Sequence, residues 1–150
     1  MSVWFEGSGE IECNIQQVKH ALEDYGKHYV GVISLMPSLT SVELVEQGSD
    51  FVIIRTNEGV MNRSNIAKRI EAESLVVEFD EEYQAGPMIT TGAHIMDEFT
   101  TSGTGVIHRT VISDVHTRGL LGFFYRLFGR SSTGNAFLKS YKTYFTKQDE

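Results

Sequence analysis

Cysteine is almost missing from this chain: Cys13 is the only one in 150 residues. An intrachain disulfide is therefore excluded, and a cysteine-based zinc site is not expected. Prolines number only two, Pro37 and Pro87, and each marks a place where a regular element has to stop. No apolar run approaches the ~20 residues of a transmembrane helix. Met1 to Glu6 carries neither a basic nor an apolar leader pattern, so no secretory signal is expected and a cytoplasmic location follows. Without secretion, the glycosylation sequon at Asn62-Arg63-Ser64 carries no meaning. Bases are the minority charge, 13 Lys and Arg against 20 Asp and Glu for a net −7, which argues against nucleic acid as a partner. No P-loop, G-x-S-x-G elbow, H-E-x-x-H or Rossmann glycine pattern occurs. Gly7-Ser8-Gly9 falls within a strand pattern and Gly103-Thr104-Gly105 in a hairpin turn, so neither opens a helix.

What remains is an ordinary globular composition, 41% apolar and 22% charged, compatible with a packed core. The length suits one domain spanning residues 1–150, large enough to enclose a cavity. The charge is uneven. Eighteen acids against seven bases precede Arg118, whereas six bases against two acids follow from it onward.

Most of the chain alternates with period two. Val3 to Cys13 reads as a strand with one wet face, its Gly7 and Gly9 marking a bend or a close approach. Asn14 is a suitable N-cap, and Ile15, Val18, Leu22 and Tyr25 follow at spacings of three and four. This predicts a helix from Ile15 to Tyr25 ending near Gly26, with a second short helix over Gly31–Met36 lidding the core. From Thr40 a meander is predicted. Its strands are Thr40–Glu46, Phe51–Asn57, Val60–Ile70 (face hard to read), Leu75–Gln84, Met88–Thr101 and Val106–Thr117. Ser102–Gly105 forms the last hairpin turn. Arg118 to Lys147 changes to helical spacing. Leu120, Phe124 and Leu127 form one stripe; after Gly129, Gly134, Leu138, Tyr141 and Phe145 form a second, widened by Phe137 and Tyr144. An apolar arc of this kind needs cover, and a curved antiparallel sheet wrapped around the C-terminal helix supplies it.

The order of elements resembles the helix-grip fold of the SRPBCC superfamily, which includes START domains, Bet v 1-like proteins and polyketide cyclase/dehydratase-like proteins. The most specific part is the long strand Val106–Thr117, then Gly119-Leu120-Leu121-Gly122 and a gapped aromatic helix. Met36-Pro37-Ser38-Leu39, ahead of the second strand, is similar as well. The resemblance covers the whole chain and implies an α+β fold, with a curved sheet of about seven strands around the helix and an apolar cavity between them. It implies a pocket rather than a chemistry.

The cavity wall expected from these patterns comprises Val77, Phe79, Tyr83, Ile95, Leu138, Tyr141 and Phe145, with Arg109, His94 or His108 as polar anchors. Glu81 stands out because it shares the apolar face of its strand. A cavity carboxylate can act as a general acid or base; the plainer alternative is a strand-end carboxylate that reaches solvent or pairs with Arg109. If the hairpin turns between Gly103 and Thr104, His94 lies opposite Ser113 and His108 opposite Phe99. The imidazoles then form no metal pair, and no metal or cofactor is expected. Tyr25, Tyr29, Tyr125, Tyr141 and Tyr144 either hydrogen-bond a ligand or pack in the core.

Three functions fit this reading. The first is binding of a hydrophobic small molecule or lipid in an internal cavity, by a monomer or weak homodimer. The second is a polyketide cyclase/dehydratase-like enzyme, with Glu81, His94 or His108 as the weak catalytic candidates. The third is a lipid-transfer module whose Arg126, Arg130, Lys139, Lys142 and Lys147 meet anionic lipid. If the aromatic arc is core, only Leu121, Phe123, Phe124 and Phe128 remain free for a membrane, and membrane contact is not expected.

Overall fold

This computed structural model describes residues 2–87, 89–119 and 129–147. Strand β1, Val3–Ile11, is followed by two short helices, α1 (Ile15–Ala21) and α2 (Tyr25–Ile33). Six strands come next: β2 (Val42–Gln47), β3 (Val52–Thr56), β4 (Gly59–Ile70), β5 (Ser74–Ala85), β6 (Ile89–Ser102) and β7 (Gly105–Arg118). The last described element is α3, Arg130–Lys147. The strands form one antiparallel sheet in the order β1-β7-β6-β5-β4-β3-β2. Six strands therefore make a plain meander, and β1 closes onto the last of them. With α3 lying across the concave face, this is the α+β helix-grip fold.

The two expected helices have other bounds: the first ends at Ala21 rather than Tyr25, and the second runs over Tyr25–Ile33 rather than Gly31–Met36. Asn14 caps α1 through a capping box with Gln17, but the helix stops at Ala21. Asp24 then caps a new helix by accepting from the Lys27 amide at 3.1 Å. Gly26, read as a stop, is buried inside α2. The Lys68 ammonium donates to the Leu22 carbonyl at 2.9 Å, at the end of α1. The apolar spacing runs through both helices because Ile15, Val18, Leu22 and Tyr29 all join the same core.

The hairpin has the anticipated register, with His94 opposite Ser113 and Phe99 opposite His108. Among the described residues, two of the sheet's four register irregularities involve a residue with positive φ. One lies between Ser64 and Ala67, where Asn65 has φ 55; the other lies at Gly92/His94, across from Asp114 with φ 54. Asn and Asp tolerate this conformation best among residues with a side chain, and bulges bend the strand that carries them. Asp114 is also clamped to the first strand: its carboxylate accepts from the Ser2 amide at 2.9 Å, and its own amide donates to the Ser2 carbonyl at 2.8 Å.

Helix α3 seats Phe137, Tyr141 and Phe145 against Val77, Phe79, Ile95 and Phe99 of the sheet and Tyr29 of α2. Two glycines permit this close seating. A Cβ on Gly134 would run into the Phe5 ring of β1, and one on Gly31 into the Tyr144 ring. The predicted stripe Leu120, Phe124 and Leu127 lies outside the described residues, as does Tyr125. Among the described residues, no helix is long and apolar enough to cross a membrane.

Candidate functional site

A cavity of about 380 Å³ opens between the sheet and the first turns of α3. Ile33, Met36, Pro37 and Leu39 form one wall; Met61, Ala85 and Ile89 contribute from the strands, and Ala136 and Phe137 from the helix. The polar atoms in this wall come from Ser38, Glu58, Glu81, Tyr83, Thr91, Ser132 and Thr133. Its size and mainly apolar lining with a few polar groups are those of a small-molecule site. The other sizeable concavities differ in kind. One of about 320 Å³ on the outer face of the sheet is walled by Asp80, Glu82, His94, Asp114 and His116.

Glu81 is held in the cavity wall by Arg63. The Arg63 Nη2 and Nε donate to the same carboxylate oxygen, Oε2, at 2.8 and 3.0 Å. The Arg63 side chain is 2% exposed and that of Glu81 12%. The guanidinium lies over the rings of Tyr29 and Phe79, 4.7 and 4.5 Å from their centroids. Burial works against its charge, and Glu81 together with Tyr141, Tyr29 and Asp97 more than offsets this, so its pKa is raised. Arg109, the partner considered for Glu81 in the alternative reading, instead bonds Glu6 at 3.0 Å on the outer face. Nearby, the Tyr83 hydroxyl meets Thr56 Oγ1 at 2.8 Å and donates to Glu58 at 3.2 Å. Burial raises the Tyr83 phenol, and the acceptor Glu58 adds to that shift.

Deeper in the core lies a second polar group that the cavity does not reach. His108 Nε2 and Asp97 Oδ1 are 2.7 Å apart, and the Tyr141 hydroxyl donates to Asp97 Oδ2 at 3.2 Å. Burial pushes Asp97 upward, but the bonds from His108 and Thr110 and the Arg63 charge together hold it below the usual carboxylate range. Burial and the neighbouring Asp97 raise the Tyr141 phenol well above its ordinary value. His28 packs against Tyr141, Tyr144 and Phe145, and neither ring nitrogen has a partner among the described residues. Burial pushes its imidazole down to about 3.

The expected site residues are therefore dispersed. Tyr83 lines the cavity together with Glu81. Val77, Phe79, Tyr141 and Phe145 are sealed in the core, and Ile95 is 4% exposed in the same cluster. Leu138 faces β1, where it borders a separate hollow beside Gly9, His108 and Lys142. His94 lies on the outer face, bonding Asp80 at 2.9 Å and Glu78 at 3.1 Å. His94 and His108 thus occupy opposite faces, and no group of three or more metal-ligating side chains occurs among the described residues. Tyr25 is half-buried. Tyr29 is buried with its hydroxyl unpaired among the described residues, and Tyr144 packs against Gly31. Arg130, Lys139 and Lys142 are exposed on α3, while Arg126, Leu121, Phe123, Phe124 and Phe128 lie outside the described residues.

Sequence reasoning missed Arg63 and Asp97. Asp97 carried a legible signal, since it alternates with Ile95 and Phe99 on one face of β6. Arg63 alternates with Met61, but the irregularity at Asn65 moves the next inward residue to Ile66 and breaks the pattern.

This architecture recurs in known structures. A conserved protein from Geobacillus kaustophilus superposes with a TM-score of 0.64 at 16% identity, over 95% of this chain and 94% of that one. A STAR-related lipid transfer protein from Xanthomonas axonopodis superposes at 0.58 with 11% identity, covering 94% and 84%. The Zhui aromatase/cyclase from Streptomyces sp. R1128 superposes at 0.51 with 13% identity, covering 97% and 94%. No protein-family model and no curated protein matches the chain in sequence. The chain shares the helix-grip fold of these structures.

Proposed function

We propose that the chain binds a hydrophobic small molecule or lipid in the cavity between α3 and the sheet, as a carrier or sensor. The observation that carries this reading is the cavity itself, about 380 Å³ with a mainly apolar wall. The likeness to a lipid transfer protein supports the fold, and the ligand reading stands on the wall. A neutral environment-sensitive dye such as Nile red is expected to bind one to one. Ala136→Trp, which fills the cavity from the helix side, is expected to weaken that binding about tenfold or more by displacing the occupant. Unchanged dye affinity in a folded Ala136→Trp variant would place the binding elsewhere and overturn the reading.

A second reading is favoured by one observation, the carboxylate of Glu81 in an apolar wall. A cyclase- or dehydratase-like enzyme would use Glu81 for proton transfer to or from a substrate carbon or oxygen. His94 and His108 do not line the cavity. This reading separates from the first by turnover of a bound polyketide-like substrate that Glu81→Gln abolishes while binding persists.

A further inference from the structure

The charged wall of the cavity is one-sided. Glu58 and Glu81 line it, and no described lysine or arginine does. The nearest cation, Arg63, is turned away from any occupant: it is 2% exposed, stacked between Tyr29 and Phe79, and both of its short bonds go to Glu81 Oε2. The other carboxylate oxygen, Oε1, receives no side-chain bond among the described residues. The Tyr83 hydroxyl is engaged as well, since its proton goes to Glu58 at 3.2 Å. The charged groups on the apolar surface are therefore acceptors only, a carboxylate oxygen of Glu81 and the carboxylate of Glu58, while the hydroxyls of Thr91, Ser132 and Thr133 can accept or donate.

Resting on the binding function proposed above, we infer that the cavity selects apolar molecules whose head group donates a hydrogen bond, an alcohol or a protonated amine, and rejects carboxylates. A donor head group completes the shell of Glu81 Oε1 with a charge-assisted bond inside an apolar wall. A carboxylate brings like charge to Glu81 and Glu58, with no guanidinium free to receive it. An occupant without a donor leaves the Glu81 oxygen desolvated and unpaired.

Two matched pairs of ten-carbon probes test this by displacement of Nile red. Decylamine and decanoate match in chain length and in magnitude of charge; decanol and methyl nonyl ether are both neutral and differ in the donor. In each pair the donor is expected to bind about tenfold or more tighter, the contribution of one hydrogen bond to a charged group. The double variant Arg63→Met/Glu81→Met removes one charge of each sign, leaves the net charge unchanged, and is expected to lose the decanol preference. Equal or tighter binding of decanoate and the ether by the parent protein would overturn the inference while leaving the cavity as a binding site. A decanol preference that persists in the folded double variant would also overturn it. If no probe and no dye binds, the binding function itself fails, and the inference with it. Should the double variant not fold, the two pairs measured on the parent protein decide.

Discussion

His28 is the least satisfied residue in the core: both ring nitrogens are buried without a partner among the described residues. Its pKa is lowered from 6.5 to about 3 by burial, with Arg63 and His108 adding to the shift and Asp97 opposing it. The folded protein thus keeps this imidazole neutral, whereas the unfolded chain takes up a proton below pH 6.5. Stability is expected to fall as the pH drops from about 6.5 toward 3, by up to about 1.4 kcal/mol per pH unit from this group alone. His28→Leu conserves volume roughly and removes the titration. Its urea midpoints at pH 7, 6, 5 and 4 should fall less steeply than those of the parent, and parallel profiles would contradict the assignment. His94 acts in the opposite sense and equally in both proteins. Burial lowers its pKa, but Asp80 and Glu78 outweigh that and raise it, so its contribution is present at low pH and lost as the pH rises through the raised value. The Arg63–Glu81 pair allows another comparison at this scale. Arg63→Met strands the Glu81 carboxylate and should cost about 3 kcal/mol, whereas Arg63→Met/Glu81→Met should recover most of that. Denaturant unfolding of both variants checks this; equal losses would contradict a stranded Glu81 charge as the source of the Arg63→Met penalty.

At the scale of elements, α3 and β1 meet where side chains are smallest. The Phe5 ring lies over Gly7 of its own strand and against Gly134 of the helix. Alanine at 134 would gain helix propensity, roughly 1 kcal/mol, yet its Cβ meets the Phe5 ring. Gly134→Ala is therefore expected to destabilise by about 1–3 kcal/mol through overpacking. In the background of Phe5→Leu, the same change should become neutral or stabilising. Thermal unfolding of this double-mutant cycle measures the coupling, and additive effects would contradict the packing. The elements themselves were largely legible in the sequence. Leu75, Val77 and Phe79 alternate cleanly on β5 because one face is core and the other is wet. Phe137, Tyr141 and Phe145 showed the buried face of α3 because they have no other cover. The break between α1 and α2 was hidden, because a single apolar stripe serves both helices and only the Asp24 cap marks the restart.

For the molecule as a whole, period-two patterns reveal which face of a strand is covered but not where along it the covering helix sits. Val77 and Phe79 were reasonable cavity candidates on that basis. They lie instead in the closed core, where the Phe79 ring meets Tyr29 of α2. The open space is displaced toward the Met36–Leu39 loop and the first turns of α3, beside Glu81 and Tyr83. Glu81 could be singled out because an acid on an apolar face is visible in one strand alone. Arg63, its partner, could not be, because the pairing depends on the register across β4 and β5. The proposed binding function rests on that displaced cavity being the site, and methyl-labelled methionine NMR tests it most directly. Met36 and Met61 line the cavity, whereas Met96 does not. Adding decanol to the labelled protein should shift the Met36 and Met61 methyl signals saturably and leave Met96 in place. Saturable binding that moves Met96 and leaves Met36 and Met61 unchanged would contradict the account.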